Sequence, residues 1–206
     1  MNFFLVHHPL PTDIINRFSE LDLKYPKIFT VQPSGKRMYI SLQNFKHMPF
    51  YNEEVLHELK FNVANSMGLH YDDYAEVRDS IGVNLAGVGI GPHTDIVEPQ
   101  HVNNDPSNKA KQELVEEWLK TNDNLGEGKP SNFVQMRCNL FIIEPLTGQD
   151  AWVEEKVLEI PRGGYGAAFD SGKLHGTTPG SDKKMTISLG YLLRRKTPSS
   201  VLKTGK

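Results

Sequence analysis

From residue 74 onward, the 206-residue chain alternates short segments of β-strand character with turns rich in Gly, Pro and Asp. The predicted strands span residues 74–79, 81–89, 133–143, 151–160, 164–169 and 184–193. Many short strands separated by turns are typical of a sandwich or barrel, whereas a parallel sheet needs regularly alternating helices. The pattern therefore predicts a mainly β fold with flanking helices.

The segment before residue 74 mixes helix and strand. Thr12 and Asp13 are suitable caps for a short helix running through Phe18 to Leu21. Residues 36–43 alternate apolar and polar side chains after a Pro-Ser-Gly turn at 33–35, which predicts a hairpin strand.

A second N-terminal helix is predicted to begin after Asn52, a good N-cap that two glutamates follow. Val55, Leu59 and Val63 recur at helical spacing, and Gly68 suits the position just past the end of the helix. We expect the apolar side of this helix to pack on the outside of a sheet.

A polar stretch at residues 103–132 interrupts the strands. Residues 109–121 within it have helical periodicity, with Leu114, Val115, Trp118 and Leu119 on one side. Such an insertion is either a lid or substrate loop, or a plain insertion with no role in the site. We expect one domain over 1–193, made of N-terminal elements (1–73) and a barrel core (74–193), followed by a basic, flexible tail at 194–206.

Composition narrows the functional classes. A single cysteine, Cys138, excludes an intramolecular disulfide framework and favours a reducing compartment, which we take to be the cytoplasm. No apolar run approaches the roughly 20 residues of a membrane-spanning helix. A net charge of −2 gives no general attraction to anionic lipid or to nucleic acid, so we expect neither as a partner.

The first candidate functional motif is the segment 89–95, Gly-Ile-Gly-Pro-His-Thr-Asp. His93 and Asp95 are two residues apart, and at strand spacing their side chains point to the same side and can reach one metal ion. A single pair of this kind also arises by chance, as a turn histidine hydrogen-bonded to a turn aspartate.

The second motif lies far downstream, where an apolar strand ends in a glycine turn that presents His175. Two imidazoles and one carboxylate form the facial triad that holds non-haem Fe(II) and leaves coordination positions open. A four-cysteine zinc site is impossible with one cysteine.

The third motif is the strand that Lys184 begins. Alternation places Lys184, Thr186 and Ser188 on one face, and Met185, Ile187 and Leu189 on the other. A polar face led by a lysine suits a pocket for a small dicarboxylate, with the ammonium paired to its far carboxylate. A solvated outer face is the alternative, and Lys183 could replace Lys184 if the register were shifted by one residue.

Together, these three motifs resemble the Fe(II)/2-oxoglutarate-dependent oxygenases, in particular their prolyl-hydroxylase-like branch. That family has His-x-Asp, a long interval, a second His and then an Arg or Lys, and the order maps onto His93, Asp95, His175 and Lys184. The resemblance covers about residues 80–193. It implies a double-stranded β-helix (a jelly-roll, cupin-like barrel), with Fe(II) on His93, Asp95 and His175 as the catalytic centre, and 2-oxoglutarate and O2 as co-substrates.

The resemblance also implies a reaction: hydroxylation of an unactivated C–H bond, with release of succinate and CO2. The substrate would be a protein side chain or a small amino-acid-like metabolite. Asp95 favours hydroxylation, because related halogenating enzymes have a small residue at that position. The alternative is a cupin-like metal-binding isomerase or binding protein without dioxygen chemistry, although such proteins usually carry His-x-His.

Further pocket residues are predicted from strand alternation. Gln135, Arg137 and Asn139 give the strand at 133–143 a polar face, and Asn84 is similarly placed before His93. We expect Asn84, Arg137 and Asn139 to contact the co-substrate or the substrate, with an outer polar surface as the alternative. Cys138, between them, is expected to be a small buried side chain rather than a nucleophile.

Overall fold

The computed structural model describes residues 3–6, 10–103, 105–121, 131–148, 150–158 and 166–195. Over these residues, antiparallel strands form a major sheet of eight strands and a minor sheet of four. The major-sheet strands are β1 (Phe3–Val6), β2 (Thr30–Val31), β3 (Arg37–Ser41), β4 (Tyr74–Asn84), β6 (Val102–Asn103), β7 (Phe133–Ile143), β10 (Gly166–Asp170) and β12 (Lys184–Arg194). The minor-sheet strands are β5 (Ile90–His93), β8 (Ala151–Val153), β9 (Lys156–Leu158) and β11 (His175–Thr177).

The strands of the major sheet follow the order β1-β10-β7-β12-β4-β3-β2, with β6 also paired to β4. The minor sheet has the order β5-β11-β8-β9. Four α-helices lie among the described residues: α1 (Thr12–Phe18), α2 (Leu21–Lys24), α3 (Glu53–Ser66) and α4 (Lys109–Thr121). Short 3-10 turns occur at 26–28, 42–45, 71–73 and 99–101.

Strand β12 lies between β4 and β7 and has two different faces. Met185, Ile187 and Leu189 are fully buried in the main apolar core. Lys184, Thr186 and Ser188 face the opposite side, where they line a cavity between the sheets. The faces are those that the sequence alternation predicts, because successive side chains of a strand point to opposite sides.

The main core lies on the outer face of the major sheet and is covered by α1 and α3. Phe18, Leu59 and Val63 of these helices pack in it with sheet residues such as Ile81 and Ile187. Helix α3 begins as predicted, because the Asn52 side chain accepts a hydrogen bond from the Val55 amide at 3.1 Å. Gly68 follows its end with a φ of 73°, a left-handed conformation that favours glycine.

Helix α4 packs on the inner face of the major sheet, beyond one end of the cavity. Its Leu114, Val115 and Trp118 form a second core with sheet residues that include Phe133 and Leu192. No residue of the described stretch 105–121 lines the cavity. This helix therefore contacts the sheet and not the cavity, and whether the insertion is a lid or a plain insertion stays a prediction; residues 122–130 lie outside the described part of the chain.

Several boundaries differ from the predictions. The N-cap of α1 is Pro11 instead of Thr12 or Asp13, and a break after Phe18 separates α1 from α2. The predicted strands 74–79 and 81–89 are one strand, β4, ending at Asn84. Leu119 of α4 is 45% exposed, so it does not share the buried side of that helix.

The predicted strand at 151–160 is a hairpin of β8 and β9. Its turn residues, Glu154 and Glu155, have φ values of 49° and 69°, which suit a tight hairpin but are unusual for glutamate. Strand β12 continues to Arg194, whose guanidinium pairs with Glu117 at 2.8 Å, and Arg195 pairs with Asp170 at 3.3 Å. The predicted tail therefore begins too early, and residues 196–206 lie outside the described part of the chain. None of the described helices combines the length and apolarity needed to cross a membrane.

The cap of α3 gives a first test. Asn52→Ala removes the acceptor for the Val55 amide, so the free energy of unfolding should fall by about 1 kcal/mol in urea titrations. Asn52→Asp is the matched control, because its carboxylate also accepts this hydrogen bond and favours a helix N-terminus. Equal stability of the alanine variant and the wild type would contradict this role of Asn52.

Candidate metal centre and adjoining cavity

Two histidines and one aspartate converge between the two sheets. His93 ends β5 and Asp95 lies in the loop that follows, while His175 begins β11 directly opposite His93. One ligand atom from each residue lies within 4.8 Å of the other two. The Asp95 Oδ1 is 3.8 Å from the His93 Nε2 and 4.0 Å from the His175 Nε2. The strand pairing thus brings together residues that are far apart in the sequence.

Hydrogen bonds to backbone carbonyl oxygens orient both imidazoles. The Nδ1 of His93 is 2.9 Å from the Gly91 carbonyl oxygen, and the Nδ1 of His175 is 2.8 Å from that of Lys173. A carbonyl oxygen can only accept, so each Nδ1 carries the hydrogen and each Nε2 keeps its lone pair. The two lone pairs are therefore available to a metal ion beside Asp95.

Asp95 is held from two sides. Its backbone amide donates to the Ser171 carbonyl oxygen at 2.8 Å, which fixes the loop after β5. Its Oδ2 accepts a hydrogen bond from the Arg137 Nε at 3.2 Å, and the Nη1 of Arg137 donates to the Arg78 carbonyl oxygen at 2.8 Å. The guanidinium therefore orients the carboxylate and leaves Oδ1 directed toward the histidines.

Burial also suits His175 to metal binding. Its side chain packs against the Phe169 ring, with the ring centroids 4.8 Å apart, and is 6% exposed. Desolvation by this burial lowers the pKa of His175, although the nearby Asp95 carboxylate opposes the effect. A neutral imidazole is the form that binds a metal ion.

The donor set fits a divalent transition metal. Two imidazole nitrogens and one carboxylate oxygen on one side of the ion are the protein ligands of the facial triad that binds Fe(II). Three protein ligands leave coordination positions for exchangeable groups, as in catalytic rather than structural sites. Within the described residues, this is the one group of His, Cys, Asp and Glu side chains close enough to hold a metal ion.

A cavity of about 590 Å³ adjoins the triad, a volume typical of small-molecule sites. Except for Gln135, the residues predicted from the sequence as pocket residues line it: Asn84, Arg137, Asn139, Lys184, Thr186 and Ser188. Gln135 is buried outside this lining, and its amide has no hydrogen-bond partner among the described residues. Cys138 lies on the other face of β7, fully buried in the main core, and burial raises the pKa of its thiol.

Lys184 is the most deeply buried cation of the cavity. Its residue exposure is 6%, and desolvation lowers the pKa of the ammonium to about 8, with partial opposition from Asp150. Its Nζ lies 5.7 Å from the centroid of the Phe141 ring. The neighbouring Lys183 points elsewhere, because its Nζ is 2.7 Å from an Asp22 carboxylate oxygen.

Some cavity residues are missing from the sequence predictions. Arg37 and Tyr39 of β3 line the cavity, as does Arg78 of β4. The alternation of β3 could have identified Arg37 and Tyr39. Met38 and Ile40 point toward the core, so their neighbours along the strand face the other way. His101, which the sequence connects with no ligand spacing, lies beside Glu98 and lines a neighbouring cavity that shares Ser41, Asn44 and Arg78 with this one.

Comparisons with known proteins find similarity only in three-dimensional structure. No protein-family model matches the chain, and no curated protein matches its sequence. A structure of a viral collagen prolyl hydroxylase from Paramecium Bursaria Chlorella virus-1, in complex with 2-oxoglutarate, has a TM-score of 0.54 at 13% identity and covers 95% of this chain and 97% of its own. For the α-ketoglutarate-dependent epimerase SnoN of nogalamycin biosynthesis, the TM-score is 0.55 at 10% identity. That match covers 100% of this chain and 86% of SnoN.

A third structure, HygX from Streptomyces hygroscopicus, contains nickel, 2-oxoglutarate and hygromycin B. Its TM-score is 0.51 at 11% identity, and the match covers 92% of this chain and 82% of that one. These likenesses establish the fold: the chain is a double-stranded β-helix of the kind found in 2-oxoglutarate oxygenases. The resemblance predicted from the sequence is thus confirmed at the level of the fold.

The convergence of the triad predicts how the protein binds a metal. His175→Ala should weaken binding of Mn(II), a redox-silent substitute for Fe(II), by more than about a hundredfold in calorimetric titrations, since even loss of an outer partner of a ligand commonly costs 10–100-fold. The control is His101→Ala, which removes a histidine outside the triad, in the neighbouring cavity, and should leave the Mn(II) affinity unchanged. Equal affinities of wild type and His175→Ala would show that the metal binds elsewhere.

Proposed function

We propose that the protein is an Fe(II)- and 2-oxoglutarate-dependent dioxygenase that hydroxylates an unactivated C–H bond. The observation that carries this proposal is a single cavity that has the His93, Asp95 and His175 side chains at one wall and the buried ammonium of Lys184 at another. The triad has the ligands that Fe(II) prefers, and the cation suits the far carboxylate of a small dicarboxylate.

The metal would be held by the Nε2 atoms of His93 and His175 and by the carboxylate of Asp95. When bound, Fe(II) supplies the redox chemistry that couples conversion of 2-oxoglutarate and O2 to succinate and CO2 with oxidation of the substrate. The protein supplies the rest: the carbonyl oxygens of Gly91 and Lys173 keep the imidazoles in the binding tautomer, and Arg137 holds the carboxylate.

Lys184, Thr186 and Ser188 would bind and orient the co-substrate. The ammonium forms a charge-assisted hydrogen bond with the carboxylate remote from the metal, and the two hydroxyls along β12 donate further hydrogen bonds. Asn84 and Asn139 flank this row and would contact the co-substrate or the substrate. Because the row is fixed in the middle of the major sheet, it sets the position of the co-substrate relative to the triad.

A cupin-like isomerase or binding protein is the competing interpretation, and it is less well supported. It accounts for the barrel and the metal ligands but gives no role to a buried lysine in the same cavity. Calorimetry with Mn(II) separates the two interpretations, since only the oxygenase should bind 2-oxoglutarate. The solved structures with this fold include a collagen prolyl hydroxylase and a protein holding hygromycin B, so both a protein side chain and a small metabolite remain candidate substrates.

Replacement of Lys184 tests the co-substrate site. Lys184→Ala should raise the Kd of 2-oxoglutarate for the Mn(II)-loaded protein at least about tenfold, since a hydrogen bond between charged groups contributes about 1.5–3 kcal/mol. Lys183→Ala is the matched control and should leave this Kd unchanged, because Lys183 pairs with Asp22 outside the cavity. A larger effect of Lys183→Ala would reverse the assignment of the two lysines.

The pKa of Lys184 predicts a pH dependence. The far carboxylate binds the protonated ammonium, whose pKa is about 8 in the unliganded protein. The Kd of 2-oxoglutarate should therefore be constant below pH 8 and rise above it, approaching about tenfold per pH unit. Isothermal titration calorimetry at roughly every half pH unit between about pH 6.5 and 9.5 measures this curve.

In Lys184→Arg, the side chain stays charged throughout that range, so the rise in Kd should disappear. A rise of the same size in this variant would assign the titration to another group.

A further inference from the structure

A buried ion pair joins helix α3 to strand β4. Lys60 of the helix and Asp79 of the strand are 2% and 4% exposed, and the Lys60 Nζ lies 2.8 Å from the Asp79 Oδ1. A buried pair of this kind adds little net stability, because the desolvation of its two charges offsets their attraction. Its hydrogen bonds indicate a different role, which is to hold the backbone of β4 in place.

The pair lies at a β-bulge of β4. Arg78 and Asp79 of this strand stand opposite a single residue of β12, so the bulge has two residues against one. The Lys60 ammonium donates to the Val77 carbonyl oxygen at 2.8 Å as well as to the Asp79 carboxylate. It therefore binds β4 on both sides of Arg78.

Asp79 is held from two further directions. Its Oδ1 also accepts a hydrogen bond from the Gly190 amide of β12 at 3.3 Å. Its Oδ2 accepts one from the Gln43 Nε2 at 3.3 Å, and its backbone amide donates to the Gln43 Oε1 at 3.0 Å. The bulge is thus fixed by α3, by β12 and by the short turn that follows β3.

This bulge is connected to the triad through one guanidinium. The Arg78 carbonyl oxygen accepts a hydrogen bond from the Arg137 Nη1 at 2.8 Å, and the Arg137 Nε donates to the Asp95 Oδ2 at 3.2 Å. The position of the Arg78 carbonyl oxygen therefore helps to set the position of the Asp95 carboxylate.

Arg137 reaches the bulge by crossing β12 at Gly190. It lies on β7 directly opposite this glycine, whereas the bulge lies on the other side of β12. A Cβ at position 190 would be 3.1 Å from the Arg137 Nη1 and 2.9 Å from the Val77 Cβ. Both distances are shorter than an ordinary contact of about 3.5–4.0 Å, so the guanidinium has room only because residue 190 has no side chain.

We propose that Lys60, Asp79 and Gly190 are positioning residues for the candidate metal ligand Asp95. The first two fix the bulge and the third leaves space for Arg137, which in turn holds the carboxylate. The inference rests on the proposed function in one respect, the metal ion at the triad. Partners that orient a metal ligand commonly change the metal affinity 10–100-fold.

A double-mutant cycle on Mn(II) binding tests this proposal. Gly190→Ala places a methyl group against the Arg137 guanidinium and should raise the Kd of Mn(II) about tenfold in calorimetric titrations. In an Arg137→Met background it should cause no further change, because the group through which it acts is gone. Gly82→Ala is the matched control and should leave the Kd unchanged, since a Cβ there would lie 3.6 Å from its nearest neighbour, the Thr186 Oγ1.

Gln43 provides a second variant at the other end of the bulge. This side chain is half-buried, so Gln43→Ala is expected to fold even if Gly190→Ala does not. It removes two hydrogen bonds to Asp79 and should raise the Kd of Mn(II) about threefold, again only while Arg137 is present. The proposal would be overturned by equal increases in both backgrounds, or by an unchanged Kd in the folded variants.

A measurement without metal separates this proposal from the proposed function. The NMR resonance of the Arg137 Nε–Hε group, assigned from its loss in Arg137→Met, reports the hydrogen bond to Asp95 in the metal-free protein. It should move toward the position of a solvent-exposed arginine in Gly190→Ala and Gln43→Ala. If it moves but the wild type binds no Mn(II), the proposed function fails and the positioning of Asp95 stands. If it does not move in the folded variants, the positioning role is wrong whatever the metal affinity.

Discussion

The two-residue alternation of strand β12 is the constraint on which the rest of the structure depends. One face of this strand is embedded in the main core through Met185, Ile187 and Leu189, so the register of the strand cannot shift without exposing them. The same register fixes Lys184 in the cavity. Stability of the barrel and placement of the Lys184 ammonium are therefore set by one set of strand pairings.

Charge in the cavity is the second physical feature that connects structure and function. Lowering the pKa of the Lys184 ammonium from 10.5 to about 8 corresponds to about 3 kcal/mol spent on holding the charged form in a desolvated position. An anion bound beside the ammonium recovers part of that free energy.

Much of the site was accessible from the sequence, because its signals are local. The His-x-Asp pair, the glycine turn before His175 and the alternation after Lys184 each lie within a few residues. The structure adds the contacts between segments that are distant in the sequence. Strand β11 pairs with β5, which sets His175 opposite His93, and helix α4 packs on Leu192. Arg78 was missed because residues 74–79 and 81–89 were predicted as two strands, so the alternation that places Ser80, Gly82 and Asn84 on the cavity face was not continued to residue 78. The hairpin of β8 and β9 was missed because two glutamates, rather than glycine or asparagine, form its turn.

The central claim is that the triad and Lys184 hold Fe(II) and 2-oxoglutarate together in one cavity. Visible absorption spectroscopy under anaerobic conditions tests it most directly, because a charge-transfer band arises only when the keto acid chelates the iron. The account predicts a weak visible band in the wild-type protein, lost in His175→Ala and weakened at limiting 2-oxoglutarate in Lys184→Ala. Wild-type protein that binds Fe(II) but gives no band with 2-oxoglutarate would contradict the account.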